Sequence, residues 1–93
     1  MPRPVIELKV NNHPGVMSHV TGLFSRRAFN IEGILCGPVG DGSTSRMILL
    51  VNEDERLRQV VKQLEKLYDV LEVAVRRDFD CSVFPGSRER DGS

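Results

Sequence analysis

The chain has 93 residues, and 13 Lys and Arg residues balance 13 Asp and Glu residues, so its formal net charge at pH 7 is zero. That length fits one domain, and the missing basic excess argues against nucleic acid or a membrane surface as the partner. We find no secretory signal and no apolar run of membrane-spanning length. Cys36 and Cys81 lie outside any CxxC or Cys/His cluster. We therefore expect a cytoplasmic protein with free thiols and no metal site.

The first half of the chain shows strand, helix and strand patterns in succession. Residues 4–10 alternate apolar and polar side chains, which predicts a half-buried strand. Residues 14–28 carry apolar side chains at helical spacing, and a helix accepts the leading proline in its first turn. Residues 31–39 predict a second strand, which Pro38 restricts to a sheet edge or a bulge. Residues 40–45 are rich in Gly and Ser and predict a hairpin loop.

The second half repeats the pattern. Residues 46–51 form a continuous apolar run, which is typical of a central strand covered by helices. Asn52 with Glu55 resembles a capping box, which would start a helix there. The apolar positions of residues 57–68 continue that helix, and residues 70–76 predict a last strand.

The resulting order, β-α-β-β-α-β, is typical of an α+β, two-layer ferredoxin-like sandwich. Right-handed crossovers place both helices on one face of a four-stranded antiparallel sheet. The other face would carry Val5, Glu7 and Lys9 and is expected to be mixed in polarity. We assign residues 1–80 to this domain. Residues 81–93 are expected to form a disordered tail, because they are mostly polar and contain Gly and Ser.

Little in the sequence favours catalysis. His13 lies in a turn, and His19 lies beside the apolar stripe of the first helix, where a surface position is expected. Neither histidine has a nucleophile visibly paired with it. The acidic run 53–55 fits a helix N-terminus better than a catalytic pair. The strands at 5–10 and 46–51 also lack the aromatic residues with which this fold stacks RNA bases.

The segment Asn11–Val16 leads from a strand directly into a helix. The unpaired N–H groups at a helix start can hold a carboxylate. Gly15 allows a ligand to approach the backbone closely, and Asn12 offers both a donor and an acceptor. These groups suit an amino acid, although most turns of this kind bind nothing.

Five motifs together resemble the small regulatory subunit of acetolactate (acetohydroxyacid) synthase, in its short form, within the ACT domain family. The resemblance covers about residues 4–77. Many members continue into a second, C-terminal domain, which this sequence does not show, and His13, Pro14 and Met17 differ from the commoner loop residues. The motifs are Asn12–Met17, Gly22–Arg27, Asn30–Ile34, Ser45–Met47 and Leu64–Val70.

The resemblance implies an amino-acid site between two copies of the chain. ACT domains usually bind their effector at a dimer interface, and the effector in this family is valine or another branched-chain amino acid. Cys36 either contacts that effector or packs as a small buried residue. The implied effector-binding residues are Asn12, His13, Pro14, Gly15, Val16 and Met17 from one copy, and Asn30, Ile31, Cys36 and Gly37 from its neighbour.

The resemblance also implies a homodimer that is not an enzyme on its own. It would confer feedback inhibition on a large catalytic subunit and enhance that subunit's activity in branched-chain amino-acid biosynthesis. Thiamine diphosphate, FAD and magnesium are expected in the catalytic partner, and no cofactor is assigned to this chain.

Two other functions remain open at this point. One is a small anion-binding enzyme of the acyl-phosphate hydrolase type, for which Asn12 and Arg26 are the nearest candidates. The other is a purely structural dimerisation module, in which the edge strand at 34–39 pairs with its mate and the loop binds nothing.

Overall fold

The computed structural model describes residues 3–12 and 14–77, so His13, Cys81 and the predicted tail 81–93 lie outside the described residues. Its elements follow the predicted order. They are β1 (Val5–Asn11), α1 (Val16–Arg26), β2 (Gly33–Val39), β3 (Thr44–Leu50), α2 (Leu57–Glu65) and β4 (Val70–Arg76).

The four strands form one antiparallel sheet in the order β2-β3-β1-β4. β1 is central and pairs with both β3 and β4, with a register shift between Lys9 and Val10 on the β4 side. β2 and β4 form the two edges. Pro38 therefore lies on an edge strand, as its missing N–H group predicts, and the ferredoxin-like architecture is confirmed.

The hydrophobic core lies between the sheet and the two helices. The two-residue period of β1 directs Ile6, Leu8 and Val10 towards this layer, where all three are fully buried. Each large apolar side chain buried in this way stabilises the fold by about 1.5–3 kcal/mol. The helices complete the layer with Val16, Val20, Leu23 and Phe24 from α1 and Leu57, Val60 and Leu64 from α2.

The opposite sheet face is mixed, as predicted, but part of it is buried. An apolar cluster at one end contains Val5 and Leu50, with Leu35 and Ile48 packed against them. Val5 is fully buried, which strand alternation alone did not indicate. Farther along, the carboxylate of Glu7 lies 3.2 Å from Arg46 Nε and 3.1 Å from Arg76 Nη1.

Both helices begin later than the sequence predicts. Pro14 lies in the turn before α1. The predicted capping box is wrong, because the side chain of Asn52 accepts a hydrogen bond of 2.6 Å from Arg3 Nη2. Asp54 Oδ1 instead accepts the backbone N–H of Arg56 at 2.8 Å, immediately before α2. A turn between β3 and α2 delays the start of the helix to Leu57, so the side-chain bond to the backbone there comes from Asp54 and not from Asn52.

The end of α2 also differs from the prediction. The backbone N–H of Leu67 bonds to the carbonyl of Leu64 at 3.1 Å, a three-residue spacing that tightens the last turn. Tyr68 consequently leaves the apolar stripe and is 91 % exposed. Within the described residues, neither helix has the length and apolarity that crossing a membrane requires.

Candidate functional site

The loop between β1 and α1 is held against the turn between β2 and β3. The backbone N–H of Asn12 donates to the carbonyl of Ser43 at 3.0 Å, and Asn12 Nδ2 donates to the carbonyl of Gly42 at 2.8 Å. These bonds fix the loop on the exposed end of the sheet. They also leave Asn12 Oδ1 as the side-chain acceptor that a ligand can use.

Gly15 is the N-cap of α1 and has φ +92°, in the left-handed region. A Cβ built at this position meets nothing within 4 Å, so backbone conformation and not space favours glycine here. Among the described residues, no side chain caps α1, and its first turn contains no acidic residue. The helix start therefore carries backbone N–H groups with positive character that no described side chain caps.

The two apolar residues that follow Gly15 have different surroundings. Val16 is 9 % exposed and belongs to the hydrophobic core, so its side chain is largely committed to packing. Met17 is 39 % exposed and is available to a ligand. Of the two, Met17 is therefore the residue that can line a pocket beside the loop.

The second predicted segment lies where the chain leaves α1 and enters β2. Asn30 is exposed, whereas Ile31 is half-buried and packs against the core. An open groove of about 450 Å³ runs along this segment and includes both residues. Thr21 and Ser25 of α1 also line this groove, and neither was among the predicted site residues. Their four-residue spacing, which places side chains on one helix face, is the signal that could have identified them.

Cys36 and Gly37 lie in the middle of edge strand β2, opposite Met47 and Arg46 of β3. Cys36 is exposed, so the expectation of a small buried residue is wrong. The reason is its place on a sheet edge, beyond which no further strand packs within residues 3–12 and 14–77. A Cβ at Gly37 meets nothing within 4 Å, so this stretch of the edge is open.

The β1–α1 loop and the Asn30–Ile31 part of the predicted site lie at opposite ends of the sheet. Asn11, beside the first loop, pairs with Thr44. The backbone N–H of Glu32, beside the second segment, donates to the carbonyl of Leu50 at 2.7 Å. Residues 44 and 50 are the two ends of β3, about 20 Å apart at the usual rise of a strand. One copy of the chain therefore does not bring Asn12 and Asn30 together.

The structure does not bring the residues that suggested catalysis together. Asn12 precedes α1 and Arg26 is its last residue, so a helix about 15 Å long separates their backbones. His19 is exposed, as predicted, and its Nδ1 lies 3.3 Å from Asp69 Oδ2. The described residues include no group of three side chains suited to a metal ion.

Two carboxylates of the acidic run before α2, those of Glu53 and Asp54, are paired with arginines. Arg77 donates to both oxygens of Glu53, which holds the pKa of Glu53 below its ordinary value. Bonds from the side chain and the backbone of Arg56 lower the pKa of Asp54 in the same way. These two carboxylates hold neighbouring arginines, but the run lies before α2 and contributes no acidic residue to its first turn, so the predicted place at the helix N-terminus is wrong.

Comparison with known proteins identifies the family. The AHAS small subunit-like ACT domain matches residues 6–72. The chain belongs to this acetolactate synthase small-subunit family of ACT domains. Family membership confirms the predicted resemblance and fold, and it also confirms that this is a regulatory chain and not an enzyme on its own.

Relatives within the small-subunit family include proteins of different lengths. The chain is 55 % identical over 80 residues to the acetolactate synthase isozyme 1 small subunit of Escherichia coli K12, covering 86 % of this chain and 82 % of that protein. It is 43 % identical over 72 residues to the acetolactate synthase small subunit of Haemophilus influenzae, covering 76 % of this chain but 44 % of that one. The chain thus spans most of the first relative and under half of the second.

Solved structures agree with this assignment. The crystal structure of the acetolactate synthase small subunit from Thermotoga maritima superposes with a TM-score of 0.71 at 36 % identity, covering 81 % of this chain and 47 % of that one. The regulatory subunit of aspartate kinase from Thermus thermophilus superposes with a TM-score of 0.69 at 22 % identity, covering 83 % of this chain and 52 % of that one. At this identity, the likeness to the aspartate kinase subunit shows only that the two proteins share a fold.

Proposed function

We propose that this chain binds valine, or another branched-chain amino acid, between two copies of itself and thereby regulates a large catalytic subunit of acetolactate synthase. The bound effector would inhibit that subunit, and the small subunit itself would enhance its activity. The observation that carries the proposal is that Asn12 and Asn30 lie at opposite ends of one sheet, whose edge strand β2 has only β3 as a partner among the described strands.

Antiparallel pairing of two copies along β2 would complete the site. A two-fold axis near the middle of β2 places the start of this strand in one copy beside its end in the other. Asn30 and Ile31 of the second copy would then approach the loop that contains Asn12 and Gly15. Exposed strand edges favour such pairing, although Pro38 limits its extent because it has no N–H group.

The chemistry of the two segments fits a small apolar amino acid. The free N–H groups after Gly15 would bind the effector carboxylate, since no acidic side chain competes for them in the first turn of α1. Asn12 Oδ1 would accept a hydrogen bond from the ammonium group. Met17 and Ile31 would provide apolar contacts for the branched side chain. His13, Cys36 and Gly37 remain part of the proposed site, whereas Pro14 and Val16 would shape the loop.

The proposed regulation uses differential binding. Valine can change the activity of the catalytic subunit only by binding one arrangement of the dimer more tightly than another. Thiamine diphosphate, FAD and magnesium would belong to the catalytic subunit, and this chain would contribute no cofactor ligand.

The test is an NMR titration of the isotope-labelled full chain with valine, with leucine and lysine as comparison ligands. We expect shifts at Asn12, Gly15 and Met17 and at Asn30–Gly37, strongest with valine and absent with lysine. Sedimentation in the same samples measures whether the binding species is a dimer. An unchanged spectrum at millimolar valine contradicts an effector site in the isolated chain and favours a structural dimerisation module. Equal shifts with lysine contradict an apolar pocket.

A further inference from the structure

Arg56, at the start of α2, contacts the end of α1. Its Nη1 donates to the backbone carbonyl of Arg27, the C-cap of α1, at 3.0 Å. Its Cζ lies 5.4 Å from the centroid of the Phe29 ring. The guanidinium therefore satisfies a carbonyl at a helix end and covers the face of an aromatic ring.

The guanidinium of Arg56 is itself held in place. Its Nε and Nη2 donate to the two carboxylate oxygens of Asp54, each at 3.1 Å. Asp54 also accepts the backbone N–H of Arg56. Because a guanidinium is planar, fixing one edge on a carboxylate directs its remaining N–H groups towards the end of α1.

Phe29 is buried at the point where the chain leaves α1. It is 5 % exposed, and its backbone N–H donates to the carbonyl of Phe24 at 2.9 Å. The next two residues are Asn30 and Ile31, the second half of the candidate effector site. A displaced Phe29 ring would therefore displace both of them.

We propose that Arg56 is a positioning residue for effector binding, which acts from α2 by fixing Phe29 and, through it, Asn30 and Ile31. This inference rests on the proposed function, because Arg56 itself does not touch the effector. It also makes α2 part of the site's support, and neither the loop motif nor the strand pattern indicates such a role.

The test compares Arg56→Leu with Arg77→Leu in the full chain. Arg77 is a matched control, because it too donates to a carboxylate near the start of α2, that of Glu53, as an exposed bidentate pair. We expect Arg56→Leu to weaken valine binding about tenfold, as the loss of a charged hydrogen bond and a cation–π contact predicts. Arg77→Leu should leave the Kd within about twofold of the wild type.

Amide hydrogen exchange provides a second readout that a general loss of stability does not reproduce. In Arg56→Leu we expect faster exchange of the amide protons of Phe29 and Glu32, which donate to the carbonyls of Phe24 and Leu50 respectively. Exchange in the centre of β1 should be unchanged. Arg56→Lys keeps the charge but lacks the planar donor set, so it should recover only part of the lost affinity.

Two failures are distinguishable. A wild-type chain that binds no valine contradicts the proposed function, and the role of Arg56 is overturned with it. A wild-type chain that binds valine, with Arg56→Leu binding equally well, overturns the role of Arg56 alone, even where stability falls. Full recovery in Arg56→Lys also overturns it, because charge alone would then suffice.

Discussion

The rings of Phe24 and Phe29 meet edge to face, with their centroids 5.8 Å apart and their planes at 80°. Phe24 belongs to α1 and Phe29 follows its end, so this contact brings the chain back onto the helix that it has just left. The backbone between them makes the reversal through Ala28, whose φ is +54°. Ala28 donates to the carbonyl of Ser25 and Phe29 to that of Phe24, the bond pattern of a Schellman motif.

We expect Ala28→Gly to stabilise the protein. A left-handed alanine costs about 1–2 kcal/mol, and glycine recovers this at an entropic cost of roughly 0.5–1 kcal/mol, so the net gain is about 0.5–1 kcal/mol. Urea unfolding measures it. Ala74→Gly is the control, because Ala74 lies in β4 with an ordinary φ and should lose stability. A lower urea midpoint in Ala28→Gly would contradict this strain at Ala28.

Gly15→Asp should abolish the valine response while the domain stays folded. A carboxylate on the N-cap of α1 would occupy and repel the position proposed for the effector carboxylate, yet it is compatible with a helix start. Gly15→Asn is the matched control, since it has nearly the same shape and the same left-handed backbone cost of about 1 kcal/mol without the charge. We expect Gly15→Asp to bind valine at least tenfold more weakly than Gly15→Asn, as measured by NMR titration. Equal affinities would place the carboxylate elsewhere.

Stability should fall in acid partly through Glu53 and Asp54. Hydrogen bonds from Arg77 and Arg56 lower the pKa values of the two carboxyl groups in the folded state. A lowered folded-state pKa contributes stability that is present above the unfolded value, about 4, and is lost as pH falls through the folded value. Asp54→Asn should therefore show a shallower loss of unfolding free energy below about pH 4 than the wild type. Parallel curves for the two proteins would contradict this.

The position of Leu64 in the core sets the cost of shortening it. Leu64 lies on α2 and is fully buried, so Leu64→Ala leaves a cavity and should destabilise the domain by about 2–4 kcal/mol. Leu71→Ala removes the same atoms from a side chain that is 48 % exposed, and it should cost less than about 1 kcal/mol. Denaturant midpoints of the two variants measure the difference. Similar losses would argue against the assignment of Leu64 to the core.

Local pattern predicted the elements better than it predicted their ends. The alternation in β1 and the helical spacing of α1 and α2 report burial directly, and the structure confirms both. The start of α2 was predicted wrongly, because a turn at residues 55–56 separates Asn52 from the helix, which begins at Leu57 with Arg56 as its N-cap. Arg3, far away in sequence, takes the side chain of Asn52 and leaves Asp54 to bond the helix start.

By itself, the sequence determined the order of the elements, most residues of the core and the family of the chain, because periodicity and short motifs are local properties. Only the tertiary structure decided that Asn12 and Asn30 lie at opposite ends of the sheet, since sheet order and register set that distance. The same holds for Arg56 and the carbonyl of Arg27, which are 29 residues apart in sequence. They meet because both helices pack on one face of the sheet, and only packing brings remote residues into hydrogen-bond distance.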